Sequence, residues 1–546
     1  MTWWLSFALA GRWLVGVEHG AVDLDRDADG HVDGTEAAVI CYRSSRVCVV
    51  DGEVGAAELG ARPGVRYVEA DRPAQRVQGG ILAPCPPVVA ADEVGHELWR
   101  TGVPAGDLGG AWSVGRGAGA LVAVQDAGFR TSHVDLDGQV ARGWDYGEDD
   151  GRPEVSPAGV PEHGTFVAGV VAARDDGSGR VGVVPEAQLF VQKIADRTGA
   201  LYFSYAVAAM DDLVQTAPEV KVVDYSIASL DPPQAFEDAV AALGSADMLL
   251  VTAAANCPVP NCGAADNDVN PVFPANYALS MDHVLAVASQ QADGALDPYS
   301  HYGASSVALG APGADVCSLG VGSDTDYVRA SGTSYAAPVV AGVAALVREA
   351  FPRLTAADTE ALLCASSAVE PGLQDRVRCG AVDADRAVHA AWPGAVTGDG
   401  VDAPVDVVVG QAATMALSVD NLAGVDTVQV SLVAEGVTST PVEVLLAADG
   451  TTAVALTLTP TQAGRVGGQV VVKGCCASAS TPWSADVAGA STPSLDETGA
   501  YDTAAPIAGP VAQSTAGGES GCGCASLAPR ARISGLLARR RGRTAP

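Results

Sequence analysis

Lysine is nearly missing from this chain: only Lys193, Lys221 and Lys473 stand among its 32 basic residues. Acidic residues number 65, so the formal net charge is -33. A polyanion of that size is repelled by phosphate backbones, which argues against nucleic acid as a partner. No uninterrupted apolar run reaches the roughly 18 to 20 residues of a spanning helix, which argues against an integral membrane protein. No pair of CxxC motifs has a zinc-ligand spacing, which argues against structural zinc. What is present is a globular composition, 48% hydrophobic and 18% charged. At 546 residues the chain is long enough for three or four domains of about 150 residues each.

There are 12 cysteines, several in close local pairs: Cys41 with Cys48, Cys257 with Cys262, and Cys364 with Cys379. Short loops closed by two cysteines read most simply as disulfides made in an oxidising compartment. The alternative is buried free thiols. Connectivity stays open for Cys85, Cys317 and the adjacent Cys475 and Cys476. Residues 1–10, MTWWLSFALA, are apolar and end in a small-x-small pattern. They lack a basic start and are short for an export signal, so they read as a clipped signal or as sequence following a start further upstream.

Four further zones and a tail separate along the chain. Residues 11–75 form a small mixed unit. Residues 90–392 alternate apolar strand-like runs with Ala-rich helical runs, which predicts an α/β domain with a parallel sheet. Residues 400–488 alternate with period two in runs such as TMALSV, TVQVSLVA and TAVALTLT, the pattern of a β-sandwich. Residues 489–520 are rich in Ser, Thr, Pro, Gly and Ala and read as a linker. Residues 521–546 form a separate tail.

Three segments of the α/β zone carry chemistry. The apolar run Leu121 to Val124 ends at Asp126, a carboxylate where open α/β sheets place their sites. HGTFVAG begins at His163, and GTSYAAPVVAG begins at Gly332 with Ser334 opening a helical run. Each segment alone is weak, since strand-end Asp, helix-borne His and GTS triplets are common. Together, in the order Asp, His, Ser, they follow one of the known chain orders of the serine-protease triad.

On these residues the chain resembles the subtilisin-like serine proteases, the subtilases. LLVTAAAN, ending at Asn256, is similar to the family's oxyanion segment. PVFPANY around Pro274 and YSHYGASSVALGAPG from Tyr299 extend the match over about 300 residues. The resemblance implies that Ser334 attacks, that His163 is its base and that Asp126 orients the imidazole. It implies that Asn256 and the Ser334 backbone N–H bind the oxyanion. It also implies that Ser226, Ile227, Ala228 and Ser229 face Ala253, Ala254 and Ala255 across a cleft for protein or peptide substrates. No cofactor is implied for the chemistry. The sequence departs from the family at Ala127, Phe166, Tyr335 and Val339, none of which carries chemistry there. It departs in the cleft at Ala255, where the family has Gly, and at Ser226–Ser229, where it has SLGG. An extra methyl at 255 predicts a narrowed cleft that prefers small or medium side chains.

The 11–75 unit, with its strands, short helix and closing VRYVEADRP, resembles the subtilase propeptide. That implies a zymogen, with the segment acting as an intramolecular inhibitor until cleavage between Glu69 and about Asp92. Within it, DRDADGHVDGTE fits an EF-hand-type loop: Asp25, Asp27 and Asp29, Gly30 at the turn, then Asp33 and Glu36. These hard oxygen ligands suit structural Ca²⁺, though an acidic solvated turn has the same composition. A second acidic stretch, Asp266 to Asn270, is a weaker ion candidate. The tail, with its Gly-Cys-Gly-Cys core and Arg cluster, resembles the myxobacterial C-terminal sorting signal, MYXO-CTERM. That implies a sorting protease as partner and a cell-surface, outer-membrane-associated location. Its apolar segment is interrupted by Arg530 and Arg532.

The sequence therefore predicts a secreted or surface-attached serine endopeptidase. Two rivals stand beside it: a surface binding protein with a degenerate protease domain, and a maturation protease of narrow specificity.

Overall fold

The computed structural model describes residues 12–18, 24, 31–32, 37–73, 83–85, 110–154, 163–390, 393–397, 407–423, 426–446, 450–473 and 478–488. The acidic loop residues Asp25, Asp27, Asp29, Asp33 and Glu36 lie outside them, as do residues 1–11, Cys475, Cys476 and the tail.

The chain begins with a four-stranded antiparallel sheet of β1 (Arg12–Val17), β2 (Ala38–Tyr42), β3 (Val47–Asp51) and β4 (Val65–Ala70), in the order β2-β3-β1-β4. Helix α1 (Ala56–Gly60) sits between the last two strands. The β-branched and apolar residues of RWLVGV and VCVVD suit a pleated, buried surface. One face of this sheet buries Val15, Val17, Val39, Cys48, Val50 and Leu59 in its own core. The other face sends Leu14, Val47 and Val49 into the core of the next unit. A two-residue strand, β5 (Ala83–Pro84), follows.

The central unit is an eight-stranded parallel sheet. It is built from β6 (Leu121–Asp126), β7 (Val140–Asp145), β8 (Gln188–Lys193), β9 (Val222–Tyr225), β10 (Leu249–Ala253), β11 (Val284–Gln290), β12 (Leu309–Pro312) and a short closing strand, β15 (Gly380–Ala381). The order is β15-β12-β11-β10-β9-β6-β8-β7. Its strands are almost continuously apolar, as burial on both faces requires. Helices α2 (His163–Ala172) and α5 (Thr333–Ala350) cover one face, and α3 (Phe203–Thr216) and α4 (Gln234–Ser245) cover the other. These make the three layers that an α/β sequence pattern predicts. Strands β13 (Val316–Leu319) and β14 (Tyr327–Ala330) form a small antiparallel sheet with β5. Helices α6 (Ala356–Ala365) and α7 (Ala384–His389) complete the unit. Thr355 caps α6 through a reciprocal box with Asp358.

The last described unit is all β. Strands β16 (Pro393–Thr397), β18 (Ala413–Asn421), β20 (Val437–Ser439) and β22 (Gly450–Pro460) form one sheet. Strands β17 (Val407–Val408), β19 (Asp426–Ala434), β21 (Val442–Leu446), β23 (Gly464–Lys473) and β24 (Ser478–Ala488) form a second. The period-two residues Met415, Leu417 and Val419 meet Leu456, Leu458, Val470 and Val472 in a shared core. Each Val or Leu fully buried there contributes about 1.5 to 3 kcal/mol.

All three local cysteine pairs are disulfides: Cys41–Cys48, Cys257–Cys262 and Cys364–Cys379. A fourth, Cys85–Cys317, ties the segment after β5 to β13 across 232 positions.

Candidate active site

The site forms where β6, β9 and β10 end and where α2 and α5 begin. Asp126 is the last residue of β6, and its side chain is only 1% exposed. Its Oδ1 accepts the Ala127 N–H at 2.6 Å. Its Oδ2 lies 2.7 Å from His163 Nδ1, so the imidazole donates from Nδ1 and keeps Nε2 for proton traffic. Gly164 is what permits this closeness. A Cβ there would lie 2.5 Å from the Gly128 carbonyl oxygen and 2.9 Å from the Asp126 Cβ.

Ser334 is the second residue of α5. Its backbone N–H is therefore among those that a helix start leaves without an intrahelical partner, and the helix dipole favours negative charge there. Packing of α2 on α5 brings Tyr335, the residue after Ser334, against His163. The Tyr335 ring lies 5.6 Å from the His163 imidazole and 4.4 Å from Phe166. Gly332 precedes the helix at φ 153°, and a Cβ on it would sit 3.1 Å from Asn256 Oδ1.

Asn256 is 98% buried, and its two amide atoms do different work. Oδ1 accepts the Thr333 N–H at 2.8 Å and the Thr333 hydroxyl at 3.2 Å. That fixes the amide, so Nδ2 points the other way, where it is buried and has no partner among the described residues. A buried donor left unmet costs about 1 to 3 kcal/mol. A negative oxygen arriving there would relieve that penalty, which is how an oxyanion donor is kept ready.

The two walls named from the sequence are extensions of neighbouring strands. Ser226, Ile227, Ala228 and Ser229 follow β9, while Ala253 ends β10 and Ala254 and Ala255 lead on to Asn256. Ser229 pairs with Phe273, both backbone bonds being 2.8 Å. Ala255 holds φ 88°, the left-handed region. That conformation costs a residue with a Cβ about 1 to 2 kcal/mol. Its methyl packs with Ala228 and Val272, so the two walls touch through methyl groups.

Sequence reading missed the support beneath Asn256. Asn267 donates through Nδ2 to the Ala254 carbonyl at 2.8 Å and accepts from His301 Nδ1 at 2.9 Å. The His301 backbone N–H holds the Ala255 carbonyl at 2.9 Å. Burial pushes the His301 imidazole down to about 4, so it is neutral at physiological pH. Asn267 lies inside the acidic stretch read as an ion candidate. There Asp266 and Asp268 accept N–H groups of Asp268, Ser305 and Ser306, so this stretch serves as a loop brace. Only the mixture of Asn with Asp could have hinted at that. Among the described residues Cys257, Cys262 and His301 cluster with metal-like spacing, but the two sulfurs are bonded to each other.

Replacing Asn256 by Ala is expected to lower kcat about 10² to 10³-fold with little change in KM. Steady-state kinetics on a peptide substrate checks it. A rise in KM at constant kcat would instead assign Asn256 to ground-state binding.

A family model described as the subtilase family matches residues 117–383. The thermostable alkaline protease of Halalkalibacterium halodurans is 35% identical over 239 residues, 44% of this chain and 59% of that relative. The major intracellular serine protease of Bacillus subtilis is 31% identical over 262 residues, 47% of this chain and 74% of that relative. Among solved structures, fervidolysin from Fervidobacterium pennivorans, described as a keratinolytic enzyme related to subtilisin, superposes with a TM-score of 0.56. It covers 87% of this chain and 91% of that one at 18% identity, a likeness of fold.

Proposed function

Because this chain belongs to the subtilase family and carries a serine-type endopeptidase domain, we propose that the whole protein is an exported endopeptidase made as a zymogen. Asp126, His163 and Ser334 are its triad, and Asn256 with the Ser334 N–H is its oxyanion hole. The observation that carries this reading is the Asn256 amide, fixed through Oδ1 on Thr333, the residue before Ser334, with Nδ2 buried and unmet among the described residues.

In the proposed reaction the Ser334 hydroxyl attacks the scissile carbonyl while His163 takes its proton at Nε2. Asp126 stabilises the imidazolium. The tetrahedral oxygen gathers charge between Asn256 Nδ2 and the α5 N-terminus. His163 then protonates the leaving amine, and water repeats the sequence on the acyl-enzyme. Every step draws on side chains and backbone of this chain.

The N-terminal sheet is the inhibitory propeptide in this reading. Three kinds of contact support it. Apolar residues Leu14, Val47 and Val49 share a core with Phe203, Tyr205 and Phe236. The carboxylates after and within β4 sit at helix starts: Asp71 accepts the Ser204 hydroxyl at 2.6 Å and its N–H at 3.2 Å, and Glu69 accepts the Ala235 N–H at 3.4 Å. Asp211 accepts the Ser44 N–H at 2.8 Å, and Asp238 accepts the Tyr67 hydroxyl at 2.6 Å. Pro73 is then bridged to Tyr202 and lines one pocket together with Ser229 and Leu230. The Cys85–Cys317 disulfide narrows the processing window. Scission after Cys85 would leave the propeptide tethered, so the bond cut lies between Pro73 and Cys85.

Four disulfides support export to an oxidising compartment. No helix among the described residues is long and apolar enough to cross a membrane. Surface sorting through the tail, and calcium at Asp25 to Glu36, rest on sequence spacing alone.

Purified protein is expected to digest unfolded casein and to be labelled at Ser334 by an organophosphonate. On a peptide library it is expected to prefer small or medium side chains before the cut, and Ala255→Gly is expected to admit larger ones. A labelled enzyme that spares casein would point to the narrow maturation protease. Neither labelling nor digestion, in a folded and processed protein, would point to the degenerate binding protein. A preference for large aromatics in the parent would overturn the narrowed-cleft reading.

A further inference from the structure

Asp224 is a carboxyl group in a place that offers it almost nothing. It lies in β9 and is fully buried. Its register partners are Val124 on β6 and Val251 on β10. Val222, two residues before it, belongs to the core beneath α2 and α5, so the period of a strand puts Asp224 on that same face. The face is the one that carries Asp126, two residues after Val124. One Asp224 oxygen, Oδ2, meets the Ser226 hydroxyl at 2.9 Å. The other, Oδ1, is buried and has no partner among the described residues.

We propose that Asp224 is held as a neutral carboxylic acid beneath the catalytic centre, and that its ionisation sets the alkaline limit of the enzyme. The inference rests on the peptidase reading above. Asp224 touches no substrate atom; it acts through Ser226, the first residue of the cleft wall, and through its field on Asp126.

The charged groups around it explain the protonation. From β6 it is faced by Asp126, a like charge. From β10 it is faced by Val251, and from α5 by the apolar run containing Ala336, Ala337 and Val340, which offer none. The charges of α5 lie in its last turns: Arg348 is paired with Asp247, and Glu349 accepts the Gly117 N–H. Lys193, two strands away on β8, is committed to Asp145 at 2.5 Å. Two neighbouring carboxyls in a closed space do not both ionise easily, and the one with better donors takes the charge. Asp126 has the His163 and Ala127 N–H groups, while Asp224 has one hydroxyl. Burial and the Asp126 charge both push Asp224 well above the ordinary carboxyl range.

Two measurements test the inference. The first is kcat/KM against pH for the protein expressed as the full chain and left to process itself, and for its Asp224→Asn variant. The variant is expected to stay within about threefold of the parent at pH 7 and to lack one ionisation of the parent's alkaline limb. The second uses Ser334→Ala protein with and without Asp224→Asn and needs no activity. A group whose folded value is raised loses stability as pH climbs from its unfolded value, about 4, toward its folded one. The Asn form carries no such loss. Its melting temperature should therefore exceed the Asp form's by a margin that grows above pH 4 and passes about 5 °C by pH 8.

Identical alkaline limbs together with a pH-independent melting gap would overturn the inference. So would failure of both Asp224→Asn and Asp224→Ser to fold at any pH, because the site as argued accepts a neutral group. A parent inactive at every pH, with the melting gap present, would instead count against the peptidase reading and leave the neutral acid standing.

Discussion

Ser334→Ala is expected to lower peptide-bond turnover by about 10⁴ to 10⁶-fold and to leave the chain at full length. The size follows from what one oxygen does. Removing it deletes the nucleophile and strands the base, since the Nε2 of His163 then has no proton to take. The oxyanion donors and the cleft remain, and they account for whatever turnover persists. Length is the cleaner readout, because processing is a single event per molecule and needs no chosen substrate. In wild-type protein the intact mass should show loss of an N-terminal segment ending between Pro73 and Cys85. In Ser334→Ala the sheet of β1 to β4 should stay covalently joined, and circular dichroism should show both proteins folded. Processing of both chains would place the cut in the hands of another protease. Processing of neither would separate the fold from the activity.

Asp126→Asn is expected to cost about 10⁴ in kcat with KM nearly unchanged. The argument is one of tautomers. The Asp126 carboxylate can only accept, so His163 must carry its proton on Nδ1. An Asn side chain can turn its amide N–H toward Nδ1 and force the proton onto Nε2, where it blocks the transfer from Ser334. The variant keeps the volume of the carboxyl and the Ala127 N–H contact, so its melting temperature should move little. Because the triad acts as a unit, Asp126→Asn combined with Ser334→Ala should be no slower than Ser334→Ala alone. Additive losses would mean that Asp126 supports something other than the base.

How much of this was legible beforehand depended on what kind of signal each part leaves. The proposed triad positions were readable because strand ends and helix starts are written locally: an apolar run stopping at Asp126, and a Gly-Thr-Ser opening an Ala-rich run at Ser334. The sandwich strands with bulky alternating residues, such as Ala413–Asn421 and Gly450–Pro460, were readable for the same reason. Strand β24, with its SASTPWSADVA, was not, because it opens on small polar residues and its alternation begins only at Trp483, continuing through Ala485 and Val487. Its place beside β23 comes from pairing along ten residues. The brace of Asn267 and His301, extended by Asn276 donating to the Asn267 carbonyl at 2.8 Å, was equally hidden. Its bonds join residues as distant in sequence as Ala255 and His301, and polar residues in loops resemble any solvated turn. Asp224 was hidden by its ordinariness, since VVDY reads as a strand with one polar residue. Only the register with Val124 and Val251 shows how little water or charge it has for company.

The Cys85–Cys317 bridge bears on survival as well as on processing. A secreted protease is surrounded by active copies of itself, and a freshly cut, fraying N-terminus is the kind of segment such copies attack first. Here the new end would be pinned within about ten residues of its start, both by the disulfide and by the pairing of β5 with β14. The length of chain that a neighbouring molecule could draw into its cleft is correspondingly short. On the proposed zymogen reading, the same crosslink that bounds where the N-terminal sheet would be severed also limits autolysis from that end, and reducing agents should shorten the working life of the processed enzyme.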